Sequence, residues 1–187
     1  MEKFVSSIQS YSGIILLMLL VVVDMQTDFV DGALGTKEAQ NIVENVVSKV
    51  KSAKECGKDI IFTMDTHQEN YSETQEGKKL PIAHCIKGSK GWEIIPKLQK
   101  LTQDCMILEK PSFGSTQLAH IAARGQYERI ELVGLCTDIC VISNAMILKS
   151  SLPEAEIFVD ANCCAGVSPE SHRNALEAMK MCQIEIL

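Results

Sequence analysis

Apolar runs and amphipathic stretches alternate from Ile14 to the end of the chain. Ile14–Val23 (IILLMLLVVV) is apolar at every position, as a central strand of a parallel sheet must be when both its faces are covered. A turn at Asp31–Gly32 and the pair Gly35–Thr36 lead into a stretch where Ile42, Val43, Val46, Val47 and Val50 form one stripe. That spacing predicts a helix over 38–56, stopped by Gly57. Asp59–Met64 is the second predicted strand. Asp65–Gly91 is polar, aperiodic and contains two histidines; a loop of that length inside a compact domain is usually functional. A short helix follows over Trp92–Leu101, then a strand over Cys105–Leu108 and a helix over Ser115–Ala123 ended by Gly125. Arg129–Val133 is the next strand, and Ile139–Lys149 the next helix, with Thr137 or Asp138 as its N-cap. A strand over Glu156–Val159, a helix from Ser168 or Pro169 to about Cys182, and a strand over Ile184–Leu187 complete the chain. This alternation predicts an α/β fold with a parallel sheet covered on both faces.

Composition narrows the picture. The 187 residues, with 46% hydrophobic and 22% charged, fit one domain spanning 1–187, with 1–12 as an N-terminal extension. A net charge of −6 argues against nucleic acid or an anionic membrane as partner. The eight cysteines contain no CxxC pair, so reduced thiols in a cytoplasmic setting are expected. Lys3 followed by Gly13–Val23 is similar to the start of a signal peptide, but the apolar run is too short to span a bilayer and leads to Asp24 rather than a small-residue cleavage site.

Asp24, Asp65 with His67, Lys110 and Cys140 all stand just past a predicted strand end, where open α/β sheets bind ligands. Cys140 falls in the first turn of a predicted helix, where free amides favour an anion and hence a thiolate, while Asp138 pushes the other way, so that activation must come from elsewhere. Asp24 is placed to accept its proton, and Lys110, held extended by Pro111, to hold the resulting charge. Asp65 and His67, two residues apart, point to one side and can share an ion with His84 and one of Glu69, Glu73 or Glu76. A mixed nitrogen and oxygen set suits zinc, manganese or iron. His120 and His172 are expected at the surface or at a helix cap.

Asp24-Met-Gln-Thr-Asp-Phe29, Asp65-Thr-His67, Lys110-Pro-Ser-Phe113 and Gly134-Leu-Cys-Thr-Asp-Ile-Cys140 resemble, in order and spacing, the four signatures of the isochorismatase-like cysteine hydrolases. The resemblance runs from about Leu17 to the C-terminus. It implies a six-stranded parallel sheet in a three-layer, Rossmann-like arrangement and a triad of Asp24, Lys110 and Cys140. It also implies a cis peptide between Leu135 and Cys136, and an oxyanion hole from the amides of Cys136 and Cys140. Asp65, His67, Glu76 and His84 resemble the metal site of nicotinamidases, with Glu73 as the alternative to Glu76. Phe29, Phe113 and Trp92 are the expected pocket walls. The chain departs from many nicotinamidases in having Leu80–Pro81–Ile82–Ala83 before His84, with no aromatic residue.

The expected activity is conversion of a small carboxamide, foremost nicotinamide, to its acid and ammonia through a thioester. The expected cofactor is one divalent metal ion, zinc ahead of manganese or iron. Expected partners are the amide substrate and further copies of the chain. Rival readings are an N-carbamoyl or ureido amidohydrolase, a non-catalytic metal-binding or interaction protein, and a thiol redox sensor using Cys136 with Cys140 or Cys163 with Cys164.

Overall fold

The computed structural model describes residues 9–11 and 14–187. Of the extension expected over 1–12, residues 1–8 and 12 lie outside the described residues. Gln9–Tyr11 (β1) pairs antiparallel with Ile14–Leu16 (β2). The main sheet comprises β3 (Met18–Val23), β4 (Asp59–Asp65), β5 (Met106–Lys110), β6 (Arg129–Leu135), β7 (Glu156–Ala165) and β8 (Glu185–Ile186). The helices are α1 (Thr27–Val30), α2 (Lys37–Glu55), α3 (Gln75–Lys79), α4 (Pro96–Gln99), α5 (Thr116–Arg124), α6 (Ile142–Ser151) and α7 (Pro169–Met181).

The six strands of the main sheet run parallel in the order β5-β4-β3-β6-β7-β8. The chain builds outward from β3 through β4 to β5, then returns to the other side of β3 and builds outward again. The direction therefore reverses at β3, and a crevice opens outside the carboxyl ends of the central strands. Asp24 follows β3, Asp65 and Lys110 end β4 and β5, and Cys140 lies in the turn after β6.

The uniformly apolar β3 serves two cores. Leu20 and Val22 pack with the α2 stripe on one face. Leu19, Val21 and Val23 pack with Leu118, Val141, Ala145, Leu148 and Met179 on the other. Each buried branched side chain contributes roughly 1.5–3 kcal/mol of transfer free energy. Helix α2 opens with the Thr36 hydroxyl accepting from the Ala39 amide at 3.0 Å. It closes at Gly57, whose φ of +65° lets the Gly57 and Lys58 amides donate back to Lys54 and Ala53, satisfying two end carbonyls.

Several boundaries differ from the sequence-based expectation, each for a local reason. The first strand starts at Met18, not Ile14, because its partners begin there: Met18 pairs with Arg129 and Leu19 with Asp59. The Trp92–Leu101 helix shrinks to Pro96–Gln99, since Pro96 has no amide to extend a helix across it. Strand β7 runs on to Ala165, crossing polar residues through a register shift opposite Leu132–Gly134. The aperiodic segment 65–91 holds a short helical turn at Tyr71–Glu73 and α3. No helix among the described residues is long and apolar enough to cross a membrane.

Candidate active site

The expected trio converges. Lys110 Nζ lies 2.6 Å from Asp24 Oδ2 and 3.6 Å from Cys140 Sγ, and it donates to the Ser112 carbonyl at 3.0 Å. Asp24 is fully buried and Lys110 and Cys140 nearly so, at 0%, 1% and 4% exposure. Asp24 adopts a left-handed backbone, φ +47°, which turns the chain off β3. Its Oδ1 accepts from the Thr63 hydroxyl at 2.7 Å. Burial pushes the Asp24 carboxyl above the usual range, with Lys110 pulling it back down. Burial, then the Asp24 charge, push the Cys140 thiol well up against the opposing pull of Lys110. The resting arrangement is therefore a carboxylate–ammonium pair beside a protonated thiol.

The turn that carries Cys140 needs Gly134. Its φ is +115°, and a Cβ there would lie 2.1 Å from the Val23 carbonyl oxygen. The Leu135–Cys136 peptide is cis, as the resemblance implied. Thr137–Val141 then forms one wide π turn entered from Cys136, with no side-chain cap. The Thr137 and Asp138 capping expectation is thus corrected. Thr137 Oγ1 instead meets His172 Nδ1 at 2.8 Å, and the Asp138 carboxylate accepts from the Val167 amide at 3.1 Å. His172 is accordingly a partly buried partner of Thr137 rather than a cap; α7 is capped by Ser168 with Ser171.

A second constellation lies beside the first. One ligand atom from each of Asp65, His67, Glu76 and His84 falls within 4.8 Å of the others. His67 Nε2 is 3.0 Å from Asp65 Oδ2 and 3.5 Å from Glu76 Oε1; His84 Nε2 is 3.6 Å from both oxygens. His84 Nδ1 faces the Ile82 carbonyl at 2.8 Å, an acceptor only, so Nδ1 carries the hydrogen and Nε2 presents its lone pair to the cluster. Buried His67 Nε2 and Asp65 Oδ1 have no hydrogen-bond partner. An orphaned buried nitrogen, His67 Nε2, beside Asp65 Oδ2, Glu76 Oε1 and His84 Nε2 in a mixed N/O set fits a divalent metal ion such as zinc, manganese or iron. Burial pushes the Asp65 carboxyl up, yet the neighbouring imidazoles of His67 and His84 and the charge of Lys110 win and hold it well down. Glu76, not Glu73, completes the cluster. Thr74 caps the short helix that presents it, and Gly77 there lies so close to Tyr71 that a Cβ would be 2.1 Å from its carbonyl oxygen.

The two constellations touch: Asp65 pairs with Lys110 across β4 and β5, and Lys110 Nζ is 3.5 Å from Asp65 Oδ1. Of the three expected wall residues, Phe29 is buried edge-on against His84, 5.5 Å between centroids. Trp92 is half-buried, its indole donating to Thr66 Oγ1 at 2.9 Å. Phe113 lies on the loop after β5 with 42% of its surface exposed.

Two buried polar residues, Gln26 and Asn144, and the partly buried Asp28 escaped the sequence reading. The Gln26 amide bonds both backbone groups of Asp65, at 2.7 and 2.9 Å, and the Trp92 carbonyl at 2.8 Å. Asp28 accepts from the Cys85 amide at 2.8 Å, fixing the backbone just after His84. Asn144 joins the Cys140 turn to the loop after Lys110. The available signal was a polar residue within an otherwise apolar local pattern, and it is weak for any one position.

All eight cysteines are free. Burial, followed by Asp138, pushes the Cys136 thiol up to about 12; burial, followed by Asp160, does the same to Cys163. Such thiols are poor redox sensors. Arg129 sits at the amino end of β6, its guanidinium 3.7 Å from the centroid of the Phe158 ring.

A six-stranded parallel sheet carries the buried trio and the adjoining N/O cluster at the carboxyl ends of its strands, and comparison with known proteins gives the family. The chain belongs to the isochorismatase family, whose domain model matches residues 18–187. It is similar to the Bacillus subtilis (strain 168) PncA, an uncharacterized isochorismatase family protein, with 29% identity over 169 residues, covering 84% of this chain and 91% of that one. Among solved structures it resembles pyrazinamidase of Pyrococcus horikoshii in complex with zinc, with 30% identity and a TM-score of 0.80, over 91% of this chain and 98% of that one. It also resembles the pyrazinamidase/nicotinamidase from Streptococcus mutans UA159, with 26% identity and a TM-score of 0.82, over 91% and 99% of the two chains. Within the family it is nicotinamidase-like.

Proposed function

We propose that the protein hydrolyses a small aromatic carboxamide, nicotinamide first, to the acid and ammonia, with Asp24, Lys110 and Cys140 as catalytic residues. The observation that carries this reading is Lys110 Nζ at 2.6 Å from Asp24 and 3.6 Å from Cys140, with the N/O cluster alongside. Asp24, its carboxyl raised by burial, is a stronger base than an exposed aspartate and takes the Cys140 proton as Sγ attacks the amide carbon. Proton transfer and attack are coupled because the thiol is held protonated at rest. The oxyanion is received by the amides of Cys136 and Cys140, an interaction whose loss costs roughly a hundredfold or more in comparable enzymes. Collapse of the adduct breaks the C–N bond, and the amine leaves as ammonia with the proton from Asp24. Water, deprotonated by Asp24, then attacks the thioester carbonyl; the acid departs and the proton returns to Cys140. Throughout, Lys110 balances the charge that moves between Asp24 and Cys140.

Asp65, His67, Glu76 and His84 would hold a divalent metal ion, whose contribution is to bind the substrate ring nitrogen, directly or through water. Phe29 and Trp92 would flank the ring. Ammonia release from nicotinamide, pyrazinamide, benzamide and an N-carbamoyl amino acid, with and without a chelator, tests the reading. Turnover of the two ring-nitrogen amides, abolished by chelator and restored by zinc, manganese or iron, supports it. Turnover of the N-carbamoyl compound alone, or of nothing, overturns it.

A further inference from the structure

We propose that Asn144 is a positioning residue that sets the Cys140 turn against Lys110, an inference that rests on the reading of Cys140 as nucleophile. Asn144 lies on α6, one turn beyond Cys140, and is fully buried. Asparagine is a poor choice for a helix interior, because its side chain competes for backbone groups. A buried amide without partners would also be destabilising. Here the side chain is fully engaged, and all its partners belong to the site. Its Nδ2 donates to the Cys140 carbonyl at 2.8 Å and to the Phe113 carbonyl at 3.2 Å. Its Oδ1 accepts from the Ser115 amide at 3.0 Å.

These bonds close a ring. From Cys140, the connection passes through Asn144 to the loop at Phe113 and Ser115. From that loop it passes through the Ser112 carbonyl to Lys110 Nζ, at 3.0 Å, and from Nζ back to Cys140 Sγ, at 3.6 Å. The loop packs directly on α6 at Gly114, where a Cβ would meet Ile147 Cδ1 and Ser143 Cβ. Asn144 touches neither the reacting sulfur nor the ammonium. It fixes the peptide that carries one to the loop that follows the other. A shift of about an ångström between reacting groups can cost roughly a hundredfold, so a single amide that ties both backbones together is a strong lever on rate and a weak one on substrate affinity.

The test compares Asn144→Leu with Leu148→Ala. The second variant loosens the same helix from its core side, where Leu148 is fully buried, without touching the ring of bonds. Three quantities are measured: thermal midpoint, kcat and KM for nicotinamide, and the rate of Cys140 alkylation by iodoacetamide against pH, followed by peptide mass mapping. Asn144→Leu should lower kcat about ten- to a hundredfold with KM within about threefold, and should move the alkylation profile to higher pH as the Lys110 contact loosens. Leu148→Ala should melt earlier and keep both kcat and the profile. If Asn144→Leu does not fold, Asn144→Ala removes the same bonds without added bulk and is read identically. An unchanged kcat and profile in the Asn144 variant, or an equal loss in Leu148→Ala, would overturn the proposal. Should the wild type release no ammonia from any amide, the functional reading fails while the alkylation profiles still decide the positioning role.

Discussion

Lys110 Nζ and Asp24 Oδ2 form an ion pair at 2.6 Å with neither side chain reaching solvent. Such a pair adds little net stability, because desolvating two charges offsets their attraction, but removing one partner strands the other. Lys110→Met should therefore destabilise the fold by about 3–5 kcal/mol, read as a lower denaturant midpoint. It should also slow Cys140 alkylation at neutral pH, because the ammonium is what opposes the upward push on the thiol. An unaltered alkylation rate would remove Lys110 from the site.

The Thr63 hydroxyl donates to Asp24 Oδ1 at 2.7 Å and so favours the ionised carboxyl. Thr63→Val keeps the shape and deletes that donor. The Asp24 value, already raised by burial, should rise further. Because the carboxylate is the form that accepts the thiol proton, the acid limb of kcat/KM should move to higher pH, with little change on the alkaline side. A pH–rate profile that superimposes on the wild type would show that Asp24 is not the base.

His67→Ala removes a nitrogen from the cluster whose ligand atoms lie within 4.8 Å of one another. Nicotinamide carries a ring nitrogen and benzamide does not, so the variant should lose nicotinamide turnover by about a hundredfold or more while its weak benzamide turnover stays near wild type. Elemental analysis should find less bound metal. Equal losses on both amides would assign His67 a structural role.

Gly134 has φ +115° and the Val23 carbonyl where a Cβ would fall. Gly134→Ala should cost at least about 2 kcal/mol and displace the turn that carries Cys140, so stability and kcat should fall together. A variant with wild-type stability would mean that the turn relaxes freely.

Much of this arrangement is written in local patterns. The all-apolar Leu19–Val23 run could only be a central strand, and charged residues placed just after apolar runs mark one rim of a parallel sheet. Asp24, Asp65, Lys110 and Cys140 were legible for that reason, and Glu76 joined them only through resemblance. Gln26, Asp28 and Asn144 were not legible, because their partners are mainly backbone groups distant in sequence, which no spacing rule encodes. The π turn was hidden because Thr137 and Asp138 look like ordinary caps, and only the close approach of Gly134 to Val23 and the contacts with His172 and Val167 show why they are not.

The most direct measurement of the central claim is intact-protein and peptide mass spectrometry of enzyme quenched with acid during nicotinamide turnover. The account predicts a nicotinoyl adduct on the peptide bearing Cys140. It predicts none in Cys140→Ala, whose ammonia release should fall by roughly a thousandfold or more while the protein still folds. An active Cys140→Ala protein, or an adduct on a different cysteine, would contradict it.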